Sequence, residues 1–170
     1  MTYLKTILML CAGLALAACT DPARFDDSNT VDLNGGSGAG VAGTASDPTS
    51  PAYFQQAVGD RVLFVIDQYT LTPEARGTLD GQAEWLMTNR DYNALIEGHA
   101  DEQGTREYNL ALGARRANSV QEYLLSRGVP ASRLSTISYG KERPIEICSE
   151  ESCYAKNRRA VTVISIAPTS

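Results

Sequence analysis

A chain of 170 residues with 43% hydrophobic content is long enough for one domain with an ordinary core. Its formal net charge is −5 and it contains no run of lysine or arginine. It therefore lacks the electrostatic footprint of a nucleic-acid-binding protein and carries no polybasic patch for a membrane surface.

The first elements in chain order are signals rather than structure. Met1 to Lys5 holds one positive charge, and Thr6 to Ala18 is apolar but too short to span a membrane as a mature helix. Leu16-Ala17-Ala18-Cys19 resembles a lipobox, with cleavage before Cys19 and acyl chains on that residue. Several chains, at about 0.8 kcal/mol per buried methylene, give stable anchoring where one does not. Thr20, directly after the cysteine, leaves sorting to the outer membrane open. Loss of residues 1–18 removes Lys5 and no acid, so the net charge moves from −5 to −6. Residues 19–52 are then the lipidated cysteine and a tether rich in Gly, Ser, Thr, Asp and Ala, centred on Asn34 to Gly40. Such a composition cannot bury enough apolar surface to order itself, and its r.m.s. reach is about 30 Å.

The globular part occupies 53–170. Arg61 to Ile66 is a short buried-type strand, followed by a loop from Asp67 to Thr70. Thr72 caps a helix with Pro73 at its first position, and Ala75, Leu79, Ala83, Leu86 and Met87 repeat at helical spacing, with Trp85 on the flank. Asn93 to Gly98 is the second strand. A turn through Asp101, Glu102 and Gly104 leads to Thr105, which caps a helix running to about Ser126 and closed by Gly128. Leu134 to Tyr139 is a third strand, Glu150 to Arg158 a short helical piece and Ala160 to Ala167 a final strand. The order β-α-β-α-β-(α)-β predicts an α/β fold with helices packed on a mixed sheet.

On the second long helix, Leu110, Gly113, Ala117, Val120 and Leu124 form the expected core stripe. Arg115 points away as a solvated charge, and Arg116 lies roughly 70° off the stripe, at its border with Asn109 and Leu112. From there its guanidinium can turn back towards Asp101, so that an acid and a base flank one shallow site.

Gly98-His99-Ala100-Asp101, Tyr108-Asn109 and Leu112-Gly113-Ala114-Arg115-Arg116-Ala117 resemble the signature of the OmpA-like peptidoglycan-binding domain family, and the resemblance runs from about Val62 to Ile166. It implies an α/β sandwich with helices on one face. It further implies that Asp101 holds the ammonium of diaminopimelate in the stem peptide of the cell wall, and Arg116 a carboxylate of the same ligand. Asp67 and Ile66 line the pocket by the same likeness, with Ile66 replacing an aromatic residue, and Gln103 stands where many members carry Arg. Asn109 and Leu112 complete the flank. Asn157-Arg158-Arg159-Ala160 also resembles the family, its basic pair either near the ligand or in ion pairs. The implied protein partners are TolB and the other Tol proteins, and the implied location is the outer membrane, facing the periplasm.

Cys148 and Cys153, in an exported chain, are expected to form a local disulfide. No metal or cofactor is expected, because His99 is the single histidine and lacks ligand spacing. Two rivals to a wall-binding anchor remain. One is a periplasmic hydrolase using His99, Asp101 and Glu102, although no Ser or Cys nucleophile stands beside them. The other is a lipoprotein scaffold that binds only proteins.

Overall fold

The computed structural model describes residues 43–166. The expected signal peptide, the Cys19 lipidation site and most of the tether lie outside the described residues. The folded unit reaches back beyond Tyr53: the Trp85 indole donates to the Pro48 carbonyl at 2.7 Å, and Ser50 donates to the Thr44 carbonyl at 2.8 Å. Ser50 also caps the short helix α1 (Pro51–Tyr53), which continues as a π-helical turn through Phe54–Gly59.

Four strands follow, β1 (Arg61–Leu63), β2 (Tyr92–His99), β3 (Leu134–Gly140) and β4 (Arg159–Ile166). They form one mixed sheet in the order β1-β4-β2-β3, with β4 antiparallel to both neighbours and β2 parallel to β3. The parallel pair is joined through the long helix α3 (Arg106–Ser126), as a crossover must be. Helix α2 (Pro73–Thr88) lies between β1 and β2, and the short α4 (Glu151–Asn157) precedes β4. Both long helices begin at the expected caps: Ala75 N–H donates to Thr72 Oγ1 and Tyr108 N–H to Thr105 Oγ1, each at 3.2 Å.

Alternation along β2 sends Ala94, Ile96 and Gly98 towards the helices, where Ile96 joins Phe54, Leu79, Leu86, Val120 and Leu124 in a fully buried core. Each such side chain contributes roughly 2 kcal/mol by removing apolar area from water. Trp85, expected on the flank, is buried and packs against Phe54 and Tyr92 with ring centroids 4.9 and 5.0 Å away. Met87, expected inside, is exposed. Gln82 takes an inner place on α2, donating to the Gly59 carbonyl and accepting from Thr162, both at 2.7 Å.

Two close approaches carry β2 and α3 to the end of the sheet where Asp101 lies. A Cβ on Gly98 would overlap the Gly113 carbonyl, and one on Gly113 would overlap Ser138 Oγ, so strand and helix touch backbone to backbone. Beyond Gly98 the register with β3 slips, and His99 pairs with Gly140. The slip re-aims the chain into the Ala100–Gln103 turn.

Candidate functional site

The site is assembled by arginines that hold backbone carbonyls. Arg116 was expected at the border of α3, but the helix is rotated from the expected stripe. Asn109, Leu112, Gly113, Arg116, Ala117, Val120 and Leu124 face inward, while Leu110 is 48% exposed. Arg116 is 0% exposed. Its Nε donates to the Gln68 carbonyl at 2.8 Å, Nη1 to the His99 carbonyl at 2.8 Å and Nη2 to the Val65 carbonyl at 3.3 Å. Its guanidinium carbon lies 5.2 Å from the Phe64 ring centre. A planar cation with five N–H groups can satisfy three carbonyls from two separate segments, which explains why arginine is tolerated there.

That grip ends β1 early. The strand expected to reach Ile66 stops at Leu63; Phe64 N–H still donates to the Arg158 carbonyl at 2.9 Å, after which the chain leaves the sheet. Gln68 N–H closes a turn onto the Val65 carbonyl at 3.1 Å, with Asp67 in its third position at φ 55°. Asp tolerates that left-handed conformation better than most residues. The turn presents Val65, Ile66, Asp67 and Tyr69 to solvent. Asp67 accepts a bond from Tyr108 OH at 3.2 Å, which ties the turn to the start of α3.

Asp101 lies beside this turn and is 7% exposed. It does not pair with Arg116. Its Oδ1 accepts from Gln103 N–H and its Oδ2 from Arg158 Nη1, each at 3.2 Å. Arg158 also donates to the Phe64 carbonyl at 3.2 Å and to Glu151. Of the two roles open for this basic residue, it takes that of an ion-pair partner. Gln103, in place of the family's arginine, supplies a backbone donor to Asp101 and a carbonyl to Asn109, whose Nδ2 reaches it at 2.7 Å. Asn109, 1% exposed, thus fixes the Asp101 turn, and Leu112, one turn further along α3, is 3% exposed. Ile66 stands at the rim.

The rest of the basic motif is structural. Asn157 accepts from the Ile145 and Glu146 amides and donates to the Glu146 carbonyl, and so pins the preceding loop. Arg159 is buried and donates to the Asn157 and Arg143 carbonyls. Cys148 and Cys153 are joined in a disulfide with Cα atoms 6.0 Å apart.

A family model described as the OmpA family matches residues 63–158. A relative named peptidoglycan-associated lipoprotein, from Rhizobium meliloti (strain 1021), is 48% identical over 158 residues, covering 93% of this chain and 86% of its own length. The chain belongs to the OmpA family and groups with its peptidoglycan-associated lipoproteins. The lipoprotein of the same name from Haemophilus influenzae (strain ATCC 51907 / DSM 11121 / KW20 / Rd) is 41% identical over 159 residues, covering 94% of this chain and 96% of its own length. The crystal structure of the peptidoglycan-associated lipoprotein from Burkholderia pseudomallei matches with a TM-score of 0.63 and 36% identity, covering 71% of this chain and 98% of that one. The C-terminal domain of Helicobacter pylori MotB shares the OmpA-family fold at 22% identity and a TM-score of 0.60, covering 64% of this chain and 86% of that one.

Similarity to these relatives places the chain among lipoproteins named for the wall, not among enzymes. Burial pushes the His99 imidazole down to about 4, with the charges of Arg159 and Arg143 adding to the effect. His99 is 1% exposed, stacks on Tyr139 at 5.6 Å, and has no hydrogen bond to either ring nitrogen, so it is not placed to act as a base on a bound substrate. Its service to the site is its carbonyl, which Arg116 holds. Burial likewise pushes Arg116 down to about 10; Arg158 adds to this, and the carboxylates of Asp101 and Asp67 oppose it. Arg116 remains charged at neutral pH, and its field underlies both acids. For Arg158 burial acts downward, but Glu151 and Asp101 outweigh it and hold the guanidinium above its usual range.

Proposed function

We propose that this chain is an outer-membrane lipoprotein, anchored by acyl chains on Cys19, whose folded domain binds peptidoglycan non-covalently and tethers the membrane to the wall. The segment between Cys19 and the folded unit gives the domain its reach. The ligand is the diaminopimelate residue of the stem peptide. Asp101 and Asp67 receive its ammonium by charge-assisted hydrogen bonds. Arg116, 0% exposed, supplies positive potential beneath them, and it is this charge rather than an open N–H face that draws a ligand carboxylate to the site. Ile66 and Tyr69 provide apolar contact at the rim.

One observation carries this reading: a carboxylate 7% exposed, held in place by Arg158, beside a turn that an entirely buried arginine fixes. Buried charges at this density are expensive to maintain unless the charge itself is used. A single shallow site of this kind binds weakly, and many copies facing a repeating polymer gain by effective concentration. The names of the relatives and the lipobox support the same role. A place in the Tol–Pal system, with TolB as partner and a role in envelope integrity and cell division, is the cellular setting proposed for this anchor.

Co-sedimentation with purified wall sacculi tests the reading. The chain is expected to sediment with them and to be released by excess free diaminopimelate. Recovery of all the chain in the supernatant, or no release by the amino acid, contradicts it.

A further inference from the structure

The disulfide ring from Cys148 to Cys153 carries two separate lines of contact to the Asp101 turn. In the first, Ser149 Oγ and Tyr154 OH both donate to Glu102 Oε1, at 3.3 and 3.0 Å. In the second, Glu151 holds Arg158, and Arg158 holds Asp101 at 3.2 Å. Glu102 and Asp101 are consecutive, so both lines end on one short stretch of backbone.

The ring is too short to contribute much by constraining the unfolded chain, since that effect grows with loop length. Its local effect is larger. Helix α4 is seven residues long and follows Glu150, its N-cap, whose side chain makes no capping bond. A helix of this length is marginal without outside support. Cys153, buried in its first turn, is joined to the loop by the disulfide, and Glu151 sits in that same turn.

We propose that the Cys148–Cys153 ring is a positioning element of the wall-binding site, setting through Glu151 how tightly Arg158 closes on Asp101. The inference rests on the peptidoglycan-binding reading given above. Glu151 is exposed, with 67% of its side chain open to solvent, so only the geometry of the first turn keeps it against Arg158. With Glu151 in place the guanidinium forks between two carboxylates and the Phe64 carbonyl, and Asp101 receives a single bond from it. Asp101 then retains lone pairs for a ligand ammonium. When the ring opens or Glu151 loses its charge, Arg158 turns its full fork onto Asp101 in a bidentate pair, which competes with the ligand. Glu151, Tyr154 and the ring act through Asp101 and touch no ligand themselves.

The test uses the full-length lipoprotein in detergent, sedimented with wall sacculi, in five forms: wild type, Asp101→Asn, Glu151→Gln, Cys148→Ser with Cys153→Ser, and the last two combined. Thermal melting confirms that each remains folded at the assay temperature. Glu151→Gln and the double serine variant are each expected to bind about three- to tenfold more weakly, and their combination no more weakly than either, because both act on one contact path. Dithiothreitol on the wild type gives the same loss, recovered on reoxidation. If Asp101→Asn abolishes binding while Glu151→Gln and the serine variant bind as the wild type does, the ring is a plain staple and the inference falls alone. Additive losses in the combined variant also overturn it, since the ring and Glu151 then act separately. If Asp101→Asn binds unchanged, the peptidoglycan site itself is misassigned and the inference falls with it.

Discussion

Two arginines hold backbone carbonyls at opposite ends of β2, and their surroundings differ. At the start of the strand Arg133 donates to the Leu86 carbonyl at 2.9 Å, to the Asn89 carbonyl at 3.1 Å and, through Nε, to the Tyr92 carbonyl at 2.8 Å, closing the α2–β2 connection. At the end of the strand Arg116 does the same for Val65, Gln68 and His99. Among the described residues Arg133 makes no ion pair, and burial, with Arg90 adding and Asp91 opposing, lowers its pKa. Arg116 lies beneath Asp101 and Asp67 and next to Arg158. The carbonyl clamp is therefore an architectural device common to both ends. What distinguishes the proposed binding end is the set of carboxylates gathered over it.

The largest effect expected from this contrast is at Arg116. Arg116→Ala leaves three carbonyls, one of them fully buried, without their donor and removes the counter-charge of two acids, so a loss of about 3–5 kcal/mol in urea unfolding is expected, together with loss of wall binding. Next is the histidine whose carbonyl feeds the clamp. The unfolded chain takes up a proton on His99 near pH 6.5 and the folded chain only near 4. Its contribution is thus complete above pH 6.5 and is lost as pH falls through that window, by up to about 3 kcal/mol. Unfolding midpoints from pH 7 to 4 check this slope, which His99→Gln should flatten. Arg133→Ala should destabilise by about 2 kcal/mol, since its clamp is partly solvated, yet leave the wall affinity of the folded chain unchanged. If Arg133→Ala weakens wall binding as much as Arg116→Ala, the two ends are not functionally distinct. The smallest effect is at Asp67, where Asp67→Asn should leave stability within about 0.5 kcal/mol and weaken wall binding only a few-fold.

The parts of this structure legible in the sequence are those set by local chemistry. Thr72 with Pro73, and Thr105, mark where the helices start because a cap needs only a side chain three residues from its donor. Alternating apolar residues marked β4 for the same kind of reason. The rotation of α3 was not legible. Leu110 is apolar and Arg116 charged, so hydrophobic patterning puts the leucine inside, yet the arginine is the one buried because carbonyls 48 and 17 positions away receive it. The early end of β1 has the same origin, the grip of Arg116 on the Val65 and Gln68 carbonyls 51 and 48 positions away. At the candidate site, Asp101 and Arg116 were singled out through the motif, with Asn109 on their flank, whereas the Asp101–Arg158 pair, 57 positions apart, was not. No local pattern marks a bond between side chains more than fifty residues apart. Arg133 carried no signal at all, since its partners are main-chain atoms.

The central claim is that a carboxylate held over a buried guanidinium grips the wall, and the most direct test compares Asp101→Asn with Arg133→Ala in binding isotherms on purified sacculi. The account predicts at least a tenfold loss for Asp101→Asn, as expected when a charge-assisted bond is removed, with Arg133→Ala equal to the wild type. Equal affinity of Asp101→Asn and the wild type, with both chains folded, would contradict it.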